Sequence, residues 1–227
     1  FIADPILDPI SYGFTKSIER YIYLREKYPD IHIMIGIGNI TELTHADTSG
    51  INMIMLGIVE ELKLNHILTT QVSRHCSTVI RETDLARRII HAASENNITP
   101  KHINNGLLIN HGHKDYAYTS DELSDMKSNI KDKNYRIYVN DDGVHLFNKT
   151  IYKVFSDPYD FYEFLEVDED SGHSFYLGVE LARAQIAYQL RKEYSQDEEL
   201  DWGCLIDKKA DNKLQSKELG PTFKKRK

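Results

Sequence analysis

The chain has 227 residues and a formal net charge of −7 at pH 7, so it is long enough for one large domain or two small ones with a sizeable core. The negative charge argues against a general nucleic-acid binder. No apolar run approaches the roughly 20 residues that a membrane-spanning helix needs, and no signal peptide is visible. Two cysteines, Cys76 and Cys204, are too few for a disulfide framework and favour a cytoplasmic protein.

Three apolar runs in the first hundred residues are predicted strands, and a helix-like segment follows each of them. The strands are residues 1–3, 31–37 and 66–70, and the helices are residues 15–28, 51–62 and 78–95. The second helix carries the fullest apolar stripe at helical spacing, formed by Ile51, Ile54, Met55, Ile58, Val59 and Leu62. Residues 38–46 are a predicted loop, and Asp47, Thr48 or Ser49 can cap the helix that follows.

Three strand–loop–helix units in succession are typical of the C-terminal part of a TIM-type (β/α) barrel. The sequence begins with Phe1, inside the first predicted strand and without an initiator methionine. We therefore expect a fragment of a longer chain, with roughly five barrel strands preceding it. Because three units leave open sheet edges, we expect the missing N-terminal barrel segment or a homo-oligomer partner to cover them.

The character of the sequence changes near Pro100. Strands are predicted over residues 135–139, 144–147 and 151–155, and Asp141-Asp142-Gly143 between the first two is a hairpin signal. A short aromatic helix over 158–165 and a long helix over 174–194 follow. The long helix places five apolar residues at helical spacing, namely Phe175, Val179, Ala182, Ile186 and Leu190.

The predicted fold class is therefore α/β, with barrel units followed by a smaller α+β domain. We place the barrel part at residues 1–99 and the α+β domain at 100–206. Residues 207–227 carry eight Lys or Arg against three Asp or Glu, about +5, which leaves about −12 for the rest. This basic end is either a disordered, solvated tail or a contact with an acidic partner.

Polar and glycine residues follow each of the three predicted strands, where a barrel carries its site. A carboxylate there can accept two hydrogen bonds from a planar amidine-like edge, an asparagine offers a donor and an acceptor, and glycines let a flat ligand approach the backbone. The candidate binding residues are Asp4, Asp8, Gly36, Gly38, Asn39, Thr41, Gln71 and Ser73. The alternative is that these side chains only cap helices and turns.

Two segments resemble the pterin-binding superfamily, which includes dihydropteroate synthase and the corrinoid-linked methyltetrahydrofolate methyltransferases. ADPILDPISYGF, residues 3–14, is similar to the Asp-Pro loop of that family, and IGIGNIT, residues 35–41, to its methyltransferase strand. The overall pattern is most similar to the dihydropteroate synthase-like proteins of methanogenic archaea. The resemblance implies that Asp4 fixes a pterin ring and that Asn39 bonds near its reacting nitrogen, which makes these two the candidate catalytic residues, with Asp8 as second choice.

The departures from this family matter for the chemistry. Dihydropteroate synthase carries basic residues after its Gly-Ile and on its last strand, whereas this chain has Gly38 to Thr41 and Thr69 to Gln71 in those places. A pyrophosphate leaving group needs cationic stabilisation, and Arg74 and His75 are the nearest candidates. The resemblance thus supports pterin binding better than pteroate synthesis.

A second resemblance lies in GHSFYLGVELARAQIA, residues 172–187, and YSQDEELDWG, residues 194–203. These segments are similar to a C-terminal domain of archaeal proteins. The resemblance implies no function for this domain. Tyr176, Glu180 and Arg183 share one helical face, which indicates either a structural Glu–Arg contact or a ligand site near the helix start at His173.

The sequence therefore predicts a pterin-binding protein of tetrahydromethanopterin- or folate-type one-carbon metabolism. If it is an enzyme, it is a transferase for pterin-dependent methyl transfer or dihydropteroate synthase-like condensation. The implied cofactor is a pterin of the tetrahydromethanopterin or folate type, and methyl transfer implies a corrinoid as well. His111 and His113 are a minor metal candidate without further ligands, so no metal is predicted. The alternative is a non-catalytic pterin carrier, a regulatory module or an assembly module, with no nucleic-acid or membrane partner in either case.

Overall fold

A computed structural model describes residues 1–167 and 170–206. The chain divides into two compact units, one of residues 1–109 with 203–206 and one of residues 110–202. The sequence-based division, 1–99 and 100–206, assigns residues 100–109 and 203–206 to the α+β domain, whereas in the structure they belong to the first unit. The predicted basic tail, 207–227, lies outside the described residues.

The first unit is an α/β structure built on three parallel strands. Strands β1 (Ile2–Ala3), β2 (His32–Gly36) and β3 (His66–Leu68) lie in the order β1-β2-β3, with Ile2 beside His32 and Met34 beside His66. The strand predictions over these residues are confirmed. In the described part of the chain this sheet has two free edges and is not a closed barrel.

Among the described residues, four α-helices and two 3-10 helices accompany these strands. They are α1 (Phe14–Lys27), α2 (Gly38–Thr41), α3 (Thr48–Glu61), α4 (Val79–Glu95) and the 3-10 helices Arg74–Cys76 and Gly203–Leu205. Side chains alternate between the two faces of a strand. Ile33 and Ile35 of β2 are fully buried in the core that α1 and α3 help to form. His32, Met34 and Gly36 point to the opposite face and retain exposure. Parallel sheets are normally covered on both faces, whereas on this face His32 is exposed and Met34 and Gly36 are only half-buried by the described residues.

The predicted apolar stripe of α3 is wrong at Ile54, which is 67% exposed, whereas Asn52 is fully buried. The reason is Glu82 on α4, which is 1% exposed. Its carboxylate accepts hydrogen bonds from Thr48 Oγ1 at 2.7 Å, Asn52 Nδ2 at 2.9 Å and Thr78 Oγ1 at 2.7 Å. A polar contact therefore replaces part of the expected apolar contact between the two helices.

The second unit is a three-stranded antiparallel sheet with helices. It comprises α5 (Ser120–Ser128), β4 (Arg136–Asn140), β5 (Gly143–Phe147), β6 (Tyr152–Phe155), a 3-10 helix (Pro158–Phe164) and α6 (Ser171–Leu190). The predicted β4–β5 hairpin is confirmed. Its turn consists of Asp141 and Asp142, because Gly143, with φ of +146°, already begins β5 opposite Asn140.

The buried face of α6 is not the predicted one. Phe175 is 69% exposed and Ile186 is 37% exposed. The core against the sheet is instead formed by the residues on the other side of the helix, which are Leu177, Glu180, Leu181, Ala184 and Ala187. Both faces of α6 carry apolar residues, so periodicity alone does not indicate which face meets the sheet.

Candidate functional site

A small cavity of about 110 Å³ lies at the carboxyl ends of the three parallel strands. It is lined by Asp4, Ile6, Leu7, Gly36, Gly38, Asn39 and Leu68. Ligands of open parallel sheets bind at this end of the strands. Four of the eight predicted binding residues are therefore brought together in one place.

Asp4 follows β1 and is held by two internal hydrogen bonds. Its Oδ1 accepts from the backbone N–H of Ile6 at 3.0 Å and from the Tyr21 hydroxyl at 3.2 Å. Burial, together with the neighbouring Asp4 carboxylate, raises the pKa of Tyr21, so this hydroxyl remains a donor. Oδ2 of Asp4 has no hydrogen-bond partner among the described residues, which leaves one acceptor available for a ligand.

Asn39 lies on α2, in a segment that the sequence analysis predicted as loop. Its Nδ2 donates to the backbone oxygen of Leu7 at 2.7 Å, which ties the end of β2 to the loop after β1. The amide is thereby oriented, and its Oδ1 makes no hydrogen bond within the described part of the chain. Asn39, like Asp4, presents an unengaged acceptor beside the cavity.

The two predicted glycines have different roles. A Cβ at Gly36 would meet no atom within 4 Å, so glycine there keeps the cavity open. A Cβ at Gly38 would lie 2.9 Å from Thr70 Oγ1. A larger residue at position 38 would therefore have to displace the Thr70 hydroxyl, which donates to Glu42.

The remaining predicted binding residues do not line the cavity. Asp8 forms an ion pair with Arg20 at 2.8 Å. Thr41 is fully buried, with its Oγ1 3.4 Å from the oxygen of Ile37.

Gln71 and Ser73 also lie outside the cavity lining. Gln71 donates to the oxygen of Ser77 and accepts from the N–H of Ile80, and it therefore organises the start of α4. Ser73 donates its backbone N–H to Glu42 at 2.8 Å. Their contacts match the alternative interpretation, in which such side chains serve local structure.

Glu42, immediately after α2, is a residue that sequence reasoning missed. Its carboxylate accepts from Thr70 Oγ1 at 3.0 Å and from the backbone N–H groups of Val72 and Ser73 at 2.8 Å each. These hydrogen bonds lower its pKa to about 2. Glu42 thus fixes the segment after β3 beside the cavity, and no local sequence signal identifies such a long-range partner.

We expect Glu42→Gln to flatten the acid dependence of folding stability. With a lowered folded-state pKa, Glu42 stabilises the fold fully above its ordinary pKa of 4.5, and this contribution is lost as the pH falls toward about 2. Urea unfolding at several pH values between these limits measures the effect. Glu61→Gln, at an exposed position, is the control, and an equal slope in wild type and Glu42→Gln would contradict the expectation.

The basic and thiol groups that follow β3, His75 and Cys76, also lie outside the cavity lining. His75 Nε2 is 3.0 Å from the oxygen of Thr41, and Cys76 Sγ donates to the same oxygen at 3.3 Å. Burial raises the pKa of the fully buried Cys76 to about 11, so its thiol is protonated near neutral pH. Both side chains thus contact the same carbonyl oxygen at the end of α2.

The predicted Glu180–Arg183 contact is part of an internal network of the second unit. Glu180 is 2% exposed and accepts from Arg183 Nη1 at 2.6 Å, the Tyr194 hydroxyl at 2.8 Å and the backbone N–H of Asp197 at 3.1 Å. Tyr176 donates to Asp197 Oδ1 at 2.7 Å. The contacts are those of a structural core.

Two further candidates find no support as ligand sites. At the start of α6 the side chain of Asp170 accepts from the backbone N–H of His173 at 3.0 Å. His111 Nδ1 is 3.1 Å from the oxygen of Leu190. Across residues 1–167 and 170–206, no group of three or more His, Cys, Asp or Glu side chains could hold a metal ion. No helix within the same ranges has the length and apolar character to cross a membrane.

Comparison with known proteins identifies a longer archaeal relative. The uncharacterized protein MJ0107 of Methanocaldococcus jannaschii is 30% identical in an alignment that covers 88% of this chain and 42% of the relative. No family model and no solved structure match the chain. The chain is therefore similar to an archaeal protein of which it spans less than half.

Proposed function

We propose that the cavity at the strand ends binds a reduced pterin, and that the protein serves tetrahydromethanopterin- or folate-type one-carbon metabolism. The observation that carries this proposal is the convergence of Asp4 and Asn39 on one cavity, each with an acceptor oxygen that no described residue engages. Both residues follow parallel strands, although they are 35 positions apart in the sequence.

The chemistry of the cavity selects a ligand that donates hydrogen bonds. The free carboxylate oxygen of Asp4 can accept one charge-assisted hydrogen bond from an amino group or a ring N–H of an amidine-like edge. Asn39 Oδ1 accepts a further N–H of the same heterocycle. Ile6, Leu7 and Leu68 supply an apolar wall, and no side chain at Gly36 intrudes on the cavity.

Methyl transfer fits the lining better than condensation with loss of pyrophosphate. The seven lining residues include no Lys or Arg, and a pyrophosphate leaving group needs cationic stabilisation. A corrinoid that accepts the methyl group would sit outside this small cavity. A non-catalytic pterin carrier or regulatory module is the second candidate function, because binding alone needs no cationic group.

We further propose that more parallel strands extend the sheet at the free edge of β1, as in a TIM-type pterin-binding barrel. An open groove of about 930 Å³ runs beside β1 and α1, where Ile2 is 51% and Tyr23 is 60% exposed. The greater length of the archaeal relative leaves room for such strands. Either additional barrel units or a second copy would cover this edge, and a stable, well-folded monomer of the 227-residue chain in size-exclusion chromatography would argue against the need for cover.

Calorimetric titration with tetrahydromethanopterin and a dihydropterin tests the pterin proposal. Asp4→Asn keeps Oδ1 for Ile6 and Tyr21 but replaces the free acceptor with an amide N–H, so we expect binding at least about tenfold weaker. Asn39→Ala should weaken binding similarly. Gln71→Ala and Ser73→Ala are matched controls, because both residues follow β3 but lie outside the cavity lining.

Three outcomes are informative. Binding lost in Asp4→Asn and Asn39→Ala but kept in both controls supports the proposed site. Absence of pterin binding to the wild type overturns the proposal. Binding that depends on Gln71 or Ser73 and not on Asp4 would place the ligand elsewhere at the strand ends.

A further inference from the structure

Ile6, in the loop after β1, has a strained backbone. It is a β-branched residue with φ of +64°, a left-handed conformation that such residues rarely adopt. Its N–H is one of the two donors that fix Asp4 Oδ1. Strained residues persist only where surrounding contacts hold them. Whatever holds Ile6 therefore also holds the Asp4 carboxylate.

The side chain of Arg20, on α1, makes three contacts with this loop. Its Nε donates to the backbone oxygen of Pro5 at 3.0 Å, and its Nη2 donates to the oxygen of Ile6 at 2.6 Å and to Asp8 Oδ2 at 2.8 Å. The planar guanidinium presents its donors in a fixed fork. One helical side chain thus bonds to the carbonyl of the strained residue, to the preceding carbonyl and to a loop carboxylate.

Neither Arg20 nor Asp8 lines the cavity. The Arg20–Asp8 pair is partly exposed, at 43% and 31% of the two side chains, so its ion-pair energy alone contributes little to global stability. Its geometry is nevertheless specific, because Asp8 orients the same Nη2 that bonds to Ile6. The effect of the pair is therefore expected to be on the loop, which carries Asp4.

We propose that Arg20 is a positioning residue for the Asp4 site, and that Asp8 acts by orienting Arg20 rather than by contacting the ligand. This inference rests on the proposed pterin site for its functional consequence. It assigns different roles to the two aspartates of the Asp-Pro loop: Asp4 binds, and Asp8 holds the loop in the binding conformation. The hydrogen bonds of Arg20 to this loop then offset the conformational strain at Ile6.

The test combines a loop readout with a binding readout on the whole chain. Hydrogen exchange at the Ile6 amide reports the loop without ligand, and calorimetry with a dihydropterin reports binding. We expect Arg20→Ala to speed exchange at Ile6 and to weaken binding about tenfold or more, since small misplacements of a binding group are costly. Asp8→Asn should change both in the same direction. Lys16→Met, which removes the exposed Lys16–Glu19 pair on the same helix, is the matched control.

Two further measurements separate positioning from a general structural effect. Guanidinium at a non-denaturing concentration should restore binding to Arg20→Ala, whereas sodium chloride at equal ionic strength should not. Ile6→Gly removes the strain, so the loss of affinity from Arg20→Ala should be smaller in that background.

The outcomes distinguish this inference from the proposed function. If the wild type binds no pterin, the proposed function fails, and exchange at Ile6 still tests the role of Arg20. If Arg20→Ala leaves hydrogen exchange at the Ile6 amide unchanged, the inference is overturned. This holds even if the affinity for the pterin falls, because Arg20 would then act on the ligand directly. The inference would also be overturned if Arg20→Ala reduced the affinity equally in the wild-type chain and in the Ile6→Gly background.

Discussion

Glu180→Ala should destabilise the second unit by about 3 kcal/mol or more. Removal of one partner from a buried, charged hydrogen-bond network leaves the others unpaired, which typically costs about 3–5 kcal/mol. Here the groups left behind are the Arg183 guanidinium, the Tyr194 hydroxyl and the Asp197 N–H. Burial and the Glu180 carboxylate together raise the pKa of Tyr194, so its hydroxyl remains a donor that has lost its acceptor.

Urea unfolding followed by the fluorescence of Trp202 measures this loss. Trp202 is the one tryptophan of the chain and belongs to the second unit, where Lys192 Nζ lies 4.6 Å from its ring centroid. Glu193→Gln is the matched control, because its pair with Lys114 is more than half exposed on both sides and should contribute about 0–1 kcal/mol. A Glu180→Ala effect no larger than that of the control would show that the network contributes nothing to stability.

Glu82→Leu should destabilise the first unit by about 2–4 kcal/mol. The leucine would be close in size, but the buried side chains of Thr48 and Asn52 would lose their acceptor, and an unsatisfied buried polar group costs about 1–3 kcal/mol. Thr78 Oγ1 would lose its contact with Glu82 as well. Glu82→Gln, which keeps one acceptor oxygen, should lose less.

Unfolding monitored by circular dichroism compares these variants with Asp84→Asn. Asp84 lies on the same helix and pairs with Arg87 and Arg88 at the surface, so its replacement should change stability little. Greater stability in Glu82→Leu than in wild type would show that desolvation of the carboxylate outweighs its three hydrogen bonds.

Much of the secondary structure follows from local signals. The β-branched run at residues 31–37 predicts β2, and the Asp141-Asp142-Gly143 signal predicts the β4–β5 hairpin. Each pattern spans only a few residues. It depends on the alternation of side chains along a strand or on turn-forming residues, so it can be recognised without the rest of the chain. The strand-end pattern by itself indicates eight polar and glycine residues, and the resemblance to the pterin-binding superfamily implies the roles of Asp4 and Asn39 among them.

Sequence alone therefore determined the strands, the longer helices and the end of the sheet where polar residues gather. Only the tertiary structure decided which of those residues share a cavity, because Gln71 and Ser73 follow a strand as Asn39 does but turn toward α4 and Glu42. It also decided that Glu42 and Glu82 are held by hydrogen bonds, that Glu180 accepts from Tyr194 and Asp197 in addition to its predicted partner Arg183, and which face of α6 is buried. The physical reason is the same in each case: a carboxylate or an apolar face is stabilised by partners distant in sequence, and periodicity carries no information about those partners.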